Sequence, residues 1–579
     1  MKILGLNIFH PDSSATLIVD NKIVSAAEEE RFTKIKHYSG FPINSIKYCL
    51  EESKISLDDI DFIAVNYNKK YNLKEKVIFG LKNINLNYVN RLIFLVRKSN
   101  LETIFYDEFK KNIPKEKFQY IPHHISHIAS SYFFSGFDDC SGFSFDASGD
   151  FSTAETYSIK NNKIQITKKA IFPHSMGIFY QALTQFLGFK NYGEEYKFMG
   201  LSSYGKPNYL NEVKKLIRFD NDNLFKMNLD YFLHHKKGFS YNFDGHVPVF
   251  ADLYSKKMEE IFGEERKMNE PLNQKHMDIS CSVQKVFEDI VFKILANLYN
   301  ENESQNLCVA GGCANNSSLN GKLLDKTKFS NIYISSNVGD AGGALGAAAY
   351  VNSIYNKKVE NFKISNFSLG PSFSDEEVKT EIESSSNKDS FNSKFNKDFN
   401  ELTSFVTDKI IDGKVIAWFQ GRMEFGPRAL GNRSIIADPR IKNMRDLINI
   451  KVKRREEFRP FAPSILEENF DDYFIHDIKK IPFMNYVVKV KKEKFDEIPS
   501  VIHVDGTSRV QTVSEKDNYR YYQLIKNFYK KTSVPILLNT SFNVNGPINC
   551  TPKDAINCFL DTNIDCLVMG NYILTKKNA

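Results

Sequence analysis

Residues 3–29 read ILGLNIFHPDSSATLIVDNKIVSAAEE and predict three short strands joined by two tight turns. Residues 142–170 read GFSFDASGDFSTAETYSIKNNKIQITKKA and repeat this order part by part. In both stretches the first turn carries an aspartate among small residues, and the second turns, DNK and NNK, match as well. Because every part agrees in the same order, the two stretches indicate an internal duplication.

Paired β-meanders of this kind are the hallmark of the actin-like ATPase fold, in which the two first turns face each other across a nucleotide cleft. A long helical pattern over 277–299 follows, and then two strand, glycine-turn, helix units around GGCANNSSLNGK (311–322) and NVGDAGGALGAAAY (337–350). Such units bring backbone N–H groups toward a phosphate or adenosine. The chain is therefore predicted to be α/β, with a duplicated actin-like domain over 1–352, divided near 135, and a second α/β domain over 363–579.

The composition is typical of a folded soluble protein with several domains. The chain has 579 residues, of which 42% are hydrophobic and 25% charged, and no apolar run reaches the roughly 18 residues of a membrane span. The N-terminus becomes polar too early for a signal peptide, and the eight cysteines form no CxxC pair, so a cytoplasmic location is expected. The net charge of +7 is modest for this length, so we expect neither a nucleic acid nor a membrane partner.

A histidine pair is the first candidate for chemistry. The segment HHISHIASS (123–131) places His123 and His127 on one face of a helix, one turn apart. An isolated pair is more often structural than metal-binding. The zinc-peptidase pattern also needs a Glu directly after the first His, and His124 holds that place, which disfavours a peptidase. A metal site here would need further ligands from elsewhere in the chain.

A second candidate is the arginine-rich run GRMEFGPRALGNRSIIADPR (421–440). Guanidinium groups this close repel one another unless phosphate or carboxylate partners neutralise them. Exposed basic loops are the alternative, but they fit the apolar, Gly/Pro-constrained FGPRALG poorly. Later segments, KVKRREEFRPFAPS (451–464), HVDGTSRVQTV (503–513) and LLNTSFNVNGPI (537–548), add more donors. So many donors suit a phosphoryl ligand together with ATP, with catalysis by positioning and charge neutralisation.

The sequence resembles the NodU-type O-carbamoyltransferases from its first residue to its last. The motifs that carry the resemblance are EERFTKIKHYSGFP, HHISHIASS, YGEEYKFMGLSSYGKP, GGCANNSSLNGK, GDAGGALGAA, GRMEFGPRALGNRSIIADPR, EFRPFAP, HVDGTSRVQTV and NTSFNVNGPI. The resemblance implies an N-terminal domain of the ASKHA class, similar to the Kae-type tRNA-modification proteins, and a C-terminal YrdC-like domain. It also implies that the second domain converts carbamoyl phosphate and ATP into carbamoyl-adenylate. The first domain would then transfer the carbamoyl group to a hydroxyl of a small acceptor and release AMP.

The resemblance answers the question of the histidine pair. It implies a divalent iron held by His123, His127, Asp146 and Asp340. Zinc or manganese would suit two imidazoles and two carboxylates equally well. Asp146 could instead only hold a neighbouring histidine in place, and His124 is expected to pack or to support a ligand.

The remaining candidates are assigned by the resemblance and by their turn positions. Binding of the adenylate is expected from Gly311, Gly312, Asn316, Gly339, Asp150, Glu194 and Lys197, although the last two could simply form a salt bridge. His10 or Asp12 would orient or deprotonate the acceptor hydroxyl, with capping of the first turn as the alternative for Asp12. Carbamoyl phosphate and ATP with Mg²⁺ are expected at Lys453, Arg509, Ser541, Arg428, Arg433, Arg459, Asn539, Asn543 and His503.

Two rival functions remain. Synthesis of threonylcarbamoyladenosine on tRNA uses both domain types, but it needs an RNA surface that neither the charge nor any aromatic-basic platform supports. A catalytically inactive nucleotide-binding scaffold is the other, and it leaves the charged motif positions in both domains unexplained. The acceptor is not readable from the sequence, and for the oligomeric state a homodimer is favoured only by its frequency among soluble proteins.

Overall fold

The computed structural model describes residues 1–82, 100–237, 247–356, 362, 364, 366–456 and 458–577. The chain divides into two compact units, Met1–Asn316 with Lys322–Lys363 and Ser317–Gly321 with Ile364–Ala579. Within the described ranges, no helix combines the length and the apolar character needed to cross a membrane.

The first unit contains two five-stranded sheets with the same plan. The first sheet consists of β1 (Lys2–Asn7), β2 (Ser14–Val19), β3 (Lys22–Glu28), β4 (Phe62–Val65) and β5 (Phe118–Tyr120). Its order is β3-β2-β1-β4-β5. The first three strands form the predicted antiparallel meander, and β4 and β5 then add in parallel.

The second sheet follows the same order. Its strands are β6 (Asp139–Gly149), β7 (Ser152–Lys160), β8 (Lys163–Ile171), β11 (Asn306–Ala310) and β12 (Asn331–Ile334), and a separate ribbon holds β9 (Ile217–Asp220) and β10 (Leu224–Met227). The order β8-β7-β6-β11-β12 again joins an antiparallel meander to two parallel strands. The predicted duplication, and with it the actin-like α/β class of this unit, is confirmed.

The helices of the first unit alternate with its strands along the chain, and α12, which also lies in this stretch, belongs to the second unit. As far as residue 355 they are α1 (Glu30–Thr33), α2 (Ile43–Glu52), α3 (Leu73–Lys82), α4 (Leu101–Phe109), α5 (His123–Ser135), α6 (Met176–Phe186), α7 (Glu195–Ser202), α8 (Leu210–Lys214), α9 (His234–Lys237), α10 (Lys257–Phe262), α11 (Gln274–Asn302), α12 (Ser317–Asn320), α13 (Leu323–Lys326) and α14 (Gly342–Tyr355). The predicted long helix over 277–299 is the centre of α11. Apolar side chains of β1, β4 and α4, among them Leu4, Ile63 and Phe105, form the core beneath the first sheet.

The two helices that follow the parallel strands, α5 and α14, lie in very close contact. A Cβ atom on Gly346 would come within 1.8 Å of the Ser126 carbonyl oxygen, and one on Gly5 of β1 within 2.1 Å of the Ala344 carbonyl oxygen. The glycine- and alanine-rich run therefore allows α14 to pack against both a strand and a helix, because larger residues would force them apart. This packing fixes the start of α14, where Asp340 lies, beside α5.

The second unit is built on one mixed sheet of ten strands. These are β13 (Phe391–Phe395), β14 (Ile416–Phe419), β15 (Arg433–Ala437), β16 (Ala462–Leu466), β17 (Phe474–Ile475), β18 (Tyr486–Val490), β19 (Thr507–Val513), β20 (Ile536–Ser541), β21 (Cys566–Met569) and β22 (Tyr572–Lys576). Their order is β13-β22-β21-β14-β15-β20-β16-β19-β18-β17. The helices are α15 (Asp375–Ser384), α16 (Phe399–Ile411), α17 (Met444–Ile448), α18 (Phe470–Tyr473), α19 (Tyr519–Thr532) and α20 (Pro552–Leu560), in addition to α12.

The α/β class of the second unit is confirmed by this sheet. Its likeness to YrdC in particular stays a prediction, as does the division of the two reaction stages between 1–352 and 363–579.

Candidate functional site

The histidine helix α5 begins at His123, directly after Pro122, and ends at Gly136 with left-handed backbone. Its first twelve residues are buried. The carboxylate of Asp150, from the first turn of the second meander, accepts hydrogen bonds from the backbone N–H of His123 at 2.9 Å and of Asn68 at 2.7 Å. Asp150 therefore stabilises the start of this helix, where N–H groups lack partners within the helix.

The imidazole rings of His123 and His127 lie nearly perpendicular to each other, at 88°, with their Nε2 atoms 2.9 Å apart. Asp146, on β6, brings its Oδ2 to 3.2 Å from Nε2 of His127. Asp340 brings its Oδ1 to 3.4 Å from Nε2 of His127 and 3.5 Å from Nε2 of His123. One ligand atom from each of the four residues lies within 4.8 Å of the others. The structure thus brings together all four predicted metal ligands.

The electrostatics of this cluster favour a cation. Burial alone would lower the pKa of His127, but hydrogen bonds and charge from Asp146 and Asp340 raise it to about 9. Burial opposes ionisation of Asp340, yet His10 and His127 hold its pKa well below the usual range. The Oδ1 atom of Asp340 is buried, and both imidazole nitrogens that it faces are 3.4 Å or more away. Two imidazoles and two carboxylates of this kind fit a divalent transition metal.

The groups around the cluster hold its carboxylates in place. His10 places Nδ1 at 2.8 Å from Oδ2 of Asp340, and the backbone N–H of Gly312 donates to Oδ2 of Asp146 at 2.6 Å. A Cβ atom on Gly149 would come within 1.9 Å of Cδ2 of His123, so only glycine leaves room for the ring. Such supporting contacts set the orientation of metal ligands. His10 therefore lies against a candidate ligand.

The residues predicted to bind the adenylate have contacts within the first unit. Gly311 has φ +92° and lies against the carbonyl oxygen of Phe145, while Gly312 supports Asp146. Asn316 is buried and exchanges hydrogen bonds with the Gln284 amide of α11, each at 3.0 Å. Gly339 lies near the Asn315 amide. A nucleotide contact by these residues stays a prediction.

Two further charged residues in this set are Glu194 and Lys197. They form a half-buried salt bridge of 2.8 Å, which is the alternative considered for them from the sequence. Their neighbour Glu195, at the first position of α7, has its pKa raised to about 7 by burial and by the charges of Glu194 and Asp146. Sequence reasoning missed Glu195, because nothing in GEEYK distinguishes its environment from that of Glu194.

Asp12 lies within hydrogen-bonding distance of a histidine that follows α1. Its Oδ1 lies 2.8 Å from Nδ1 of His37, and Glu30 accepts a hydrogen bond of 2.7 Å from the backbone N–H of His37. His37 was not among the predicted residues. The only sequence signal for it was its place in the motif EERFTKIKHYSGFP.

In the second unit, Lys453 ends a π-helical turn, Asn449–Lys453, and is 1% exposed. Its ammonium donates to the carbonyl and hydroxyl oxygens of Ser541 and to the carbonyl and side-chain oxygens of Asn543. All four acceptors are neutral. Burial lowers the pKa of Lys453 well below its usual range, and the charges of Arg455 and Arg459 lower it further. A buried ammonium without a carboxylate in the described residues is a site that an anion would stabilise.

Arg509 lies in the same basic environment. Burial, followed by the charges of Arg428, Arg455 and Arg459, lowers the pKa of its guanidinium well below the usual range. Its Nε atom is buried and has no hydrogen-bond partner among the described residues. Burial, with help from Arg509, also lowers the pKa of His503 to about 4, although Asp505 opposes the shift. Seven of the predicted residues of this unit are thus connected by hydrogen bonds or by electrostatic interactions. They are Lys453, Arg509, Arg428, Arg459, Ser541, Asn543 and His503.

Other arginines of the 421–440 run serve the fold. Arg433 is fully buried, stacks on the Phe419 ring at 3.6 Å and donates to several backbone carbonyls, including Gln420 and Pro371. Arg422 donates to the carbonyls of 369 and 370, and Arg440 forms a salt bridge of 2.6 Å with Asp438. Asn539 is held in a buried network with Ser464 and Gln511. These contacts give Arg433 and Asn539 structural partners, so we assign neither to the anion site.

Comparison with known proteins gives one consistent family. The model described as "Carbamoyltransferase N-terminus" matches residues 2–349, and that described as "Carbamoyltransferase C-terminus" matches residues 407–576. Nodulation protein NolNO of Sinorhizobium fredii is 35% identical over 99% of this chain and 80% of its own length. An uncharacterized protein of Synechocystis is 37% identical over 99% and 96%, respectively. Among solved structures, nucleotide-bound HypF aligns with a TM-score of 0.32 at 15% identity, over 62% of this chain and 47% of that chain, too low a similarity to carry an argument.

Proposed function

The chain belongs to the carbamoyltransferase family, and from this premise we propose that it is an ATP-dependent O-carbamoyltransferase acting on a small-molecule hydroxyl. Family membership and the enzyme class follow from the two family models, which together span both units, and from relatives such as NolNO. The two-stage reaction and the acceptor class are the proposal. A sugar or natural-product hydroxyl is the proposed acceptor.

The observation that carries the proposal is the presence of two chemically opposite clusters, one in each unit. In the first unit, the cluster around His123 and Asp340 could bind a cation. In the second unit, the buried basic cluster around Lys453 and Arg509 could bind an anion. A phosphorylated substrate and ATP need the second cluster, because their negative charges must be neutralised before they can react with one another. The first cluster would hold a metal cation, which would polarise the carbonyl group during transfer to a neutral alcohol.

In the proposed first stage, carbamoyl phosphate and water give carbamate and phosphate, and carbamate then displaces pyrophosphate from ATP to form carbamoyl-adenylate. Lys453 and Arg509 hold the phosphoryl group, and Ser541 and Asn543 fix the position of the Lys453 ammonium. The arginines 428 and 459 add positive charge around these oxygens. ATP would enter with Mg²⁺, as is usual for such substrates.

In the proposed second stage, an acceptor hydroxyl attacks the carbamoyl carbon of the adenylate and AMP leaves. His123, His127, Asp146 and Asp340 would hold a divalent metal, with iron the choice implied by the family resemblance and zinc or manganese equally suited to the donors. When bound, such a metal supplies Lewis-acid polarisation of a carbonyl oxygen. His10 and Gly312 keep the two carboxylates in position.

The first stage is tested by exchange of labelled pyrophosphate into ATP that depends on carbamoyl phosphate. We expect Lys453→Met to reduce this exchange about 100-fold, as the loss of one preorganised donor does elsewhere. Arg440→Met is the matched control, because Arg440 is paired with Asp438, and its exchange should remain within about threefold of the wild type.

The rival functions predict different results in the same assay. A tRNA-modifying enzyme would require threonine and bicarbonate in place of carbamoyl phosphate, and an inactive scaffold would show no exchange at all. Mass spectrometry for the gain of one carbamoyl group across a panel of glycosides then identifies the acceptor.

A further inference from the structure

Beyond the candidate metal cluster, the first unit holds an unassigned aspartate–histidine pair in the same turn region. Asp12 has left-handed backbone, with φ +57°, and projects from the turn between β1 and β2 toward His37. Nδ1 of His37 lies 2.8 Å from the Asp12 carboxylate. Asp12 thereby fixes the tautomer of the ring with the proton on Nδ1, which leaves Nε2 as the basic atom.

The segment that carries His37 is held rigidly. Its backbone N–H donates to Glu30, and Arg31 forms a buried salt bridge with the same carboxylate at 2.6 Å. The ring edge meets Tyr192, with ring centroids 5.0 Å apart. A Cβ atom on Gly193 would lie 2.3 Å from Nε2 of His37, so the glycine at this position leaves room for the ring. The imidazole and its backbone are therefore fixed by three different segments of the chain.

Two neighbouring residues connect the pair with the candidate metal cluster. His10, two residues before Asp12 in the same turn, contacts the candidate ligand Asp340. Glu195, two residues after Gly193, interacts electrostatically with both His37 and Asp146. Nε2 of His37 has no hydrogen-bond partner among the described residues. A second possible metal site is formed by Asp12, Glu30 and His37, whose ligand atoms lie close together. The hydrogen bond between Asp12 and His37 already explains why these two side chains are close.

We propose that His37, oriented by Asp12, is the general base that takes the proton from the acceptor hydroxyl. This inference rests on the proposed function. The O–H bond of the alcohol breaks as its oxygen bonds to the carbamoyl carbon, and the proton moves to Nε2 of His37. The bond from that carbon to the phosphate oxygen breaks, AMP leaves with the electron pair, and His37 then returns the proton to water. His37 is the catalytic residue of this step and Asp12 is a positioning residue.

The charges that face His37 support this role. Burial would lower the pKa of His37, but Asp12 and, more weakly, Glu30 raise it above the usual 6.5, against the opposing charge of Lys36. Glu195 also interacts electrostatically with His37, and the Tyr192 ring lies against the edge of the imidazole. Since the base must be neutral, the transfer step should accelerate as the pH rises through this raised pKa. Removing the charge of Asp12 should lower that pKa and move the acidic limb of the profile to lower pH.

The test measures AMP release from ATP and carbamoyl phosphate, with water and with glycerol as hydroxyl donors. His37→Gln should lower AMP release about 100-fold and leave the pyrophosphate exchange within about twofold, because exchange belongs to the other unit. Asp12→Asn should lower AMP release and also shift the acidic limb to lower pH, which a purely structural defect would not do. His235→Gln serves as the matched control and should release AMP at the wild-type rate.

Normal AMP release by His37→Gln would overturn the assignment. The pH profile of AMP release gives a second such outcome: its acidic limb disappears in Glu195→Gln but persists in His37→Gln. Failure of the proposed function looks different. In that case the wild type itself would show no pyrophosphate exchange that depends on carbamoyl phosphate.

Discussion

At the scale of residues, the four side chains of the metal cluster give a prediction that does not depend on activity. We expect the purified wild type to carry about one equivalent of a divalent metal, and His127→Ala to lose most of it, because His127 lies within 3.4 Å of both carboxylates. Elemental analysis by mass spectrometry measures the content and identifies the metal. His124→Gln is the control, since Nδ1 of His124 lies 2.8 Å from the Ser144 hydroxyl and His124 is not in the cluster. Equal metal content in the wild type and His127→Ala would contradict the assignment.

One segment was enough to predict that His123 and His127 share a helix face, and the structure shows both on α5. The resemblance added Asp146 and Asp340, which the structure places beside them, and their role as metal ligands stays a prediction. Prediction from the sequence needs such a local signal. It failed where the partner lies far along the chain. Asp12 and His37 are 25 residues apart and on different elements, so their pairing is visible only in the folded chain. Likewise, nothing local reveals that Arg433 donates to the carbonyl of Pro371.

At the scale of elements, the two meanders could be predicted because short strands and tight turns are encoded locally. The sequence predicts that the glycine-rich run before and within α14 brings backbone N–H groups toward a nucleotide. The structure shows that at least Gly346 allows close packing between two helices. The Ser/Asn/Lys-rich segment 381–400 contains the edge strand β13, which pairs with β22. The partner strand β22 lies almost 200 residues further along the chain. The local composition of 381–400 therefore cannot predict this pairing.

The packing of α14 against α5 can be tested with one methyl group. A Cβ atom on Gly346 would meet the Ser126 carbonyl at 1.8 Å, so Gly346→Ala should cost about 1–3 kcal/mol of unfolding free energy and weaken metal binding. Gly200→Ala is the matched control, because a Cβ atom there meets nothing within 4 Å. That change should be neutral or stabilise by up to about 1 kcal/mol, since alanine favours a helix. Urea denaturation compares the two variants, and equal free energies would contradict the close contact.

At the scale of the whole molecule, the buried cations around Lys453 predict that anions stabilise the protein. A ligand that binds only the folded state adds about 2.7 kcal/mol when present at 100 times its dissociation constant. Inorganic phosphate should therefore raise Tm by a few degrees, while chloride at the same ionic strength should not. Lys453→Met should lose most of the shift, because the ammonium and its neutral oxygen partners form the centre of the site. An equal shift in that variant would show that phosphate acts elsewhere.

The duplication of the first unit has a consequence for the origin of its chemistry. The imidazoles follow β5, in the first repeat, whereas Asp146 and Asp340 lie on β6 and after β12, in the second. Neither repeat alone supplies all four candidate ligands. The two halves are therefore not interchangeable: the first supplies nitrogen donors to the candidate site and the second supplies oxygen donors. A chain in which both halves were identical would lack this combination.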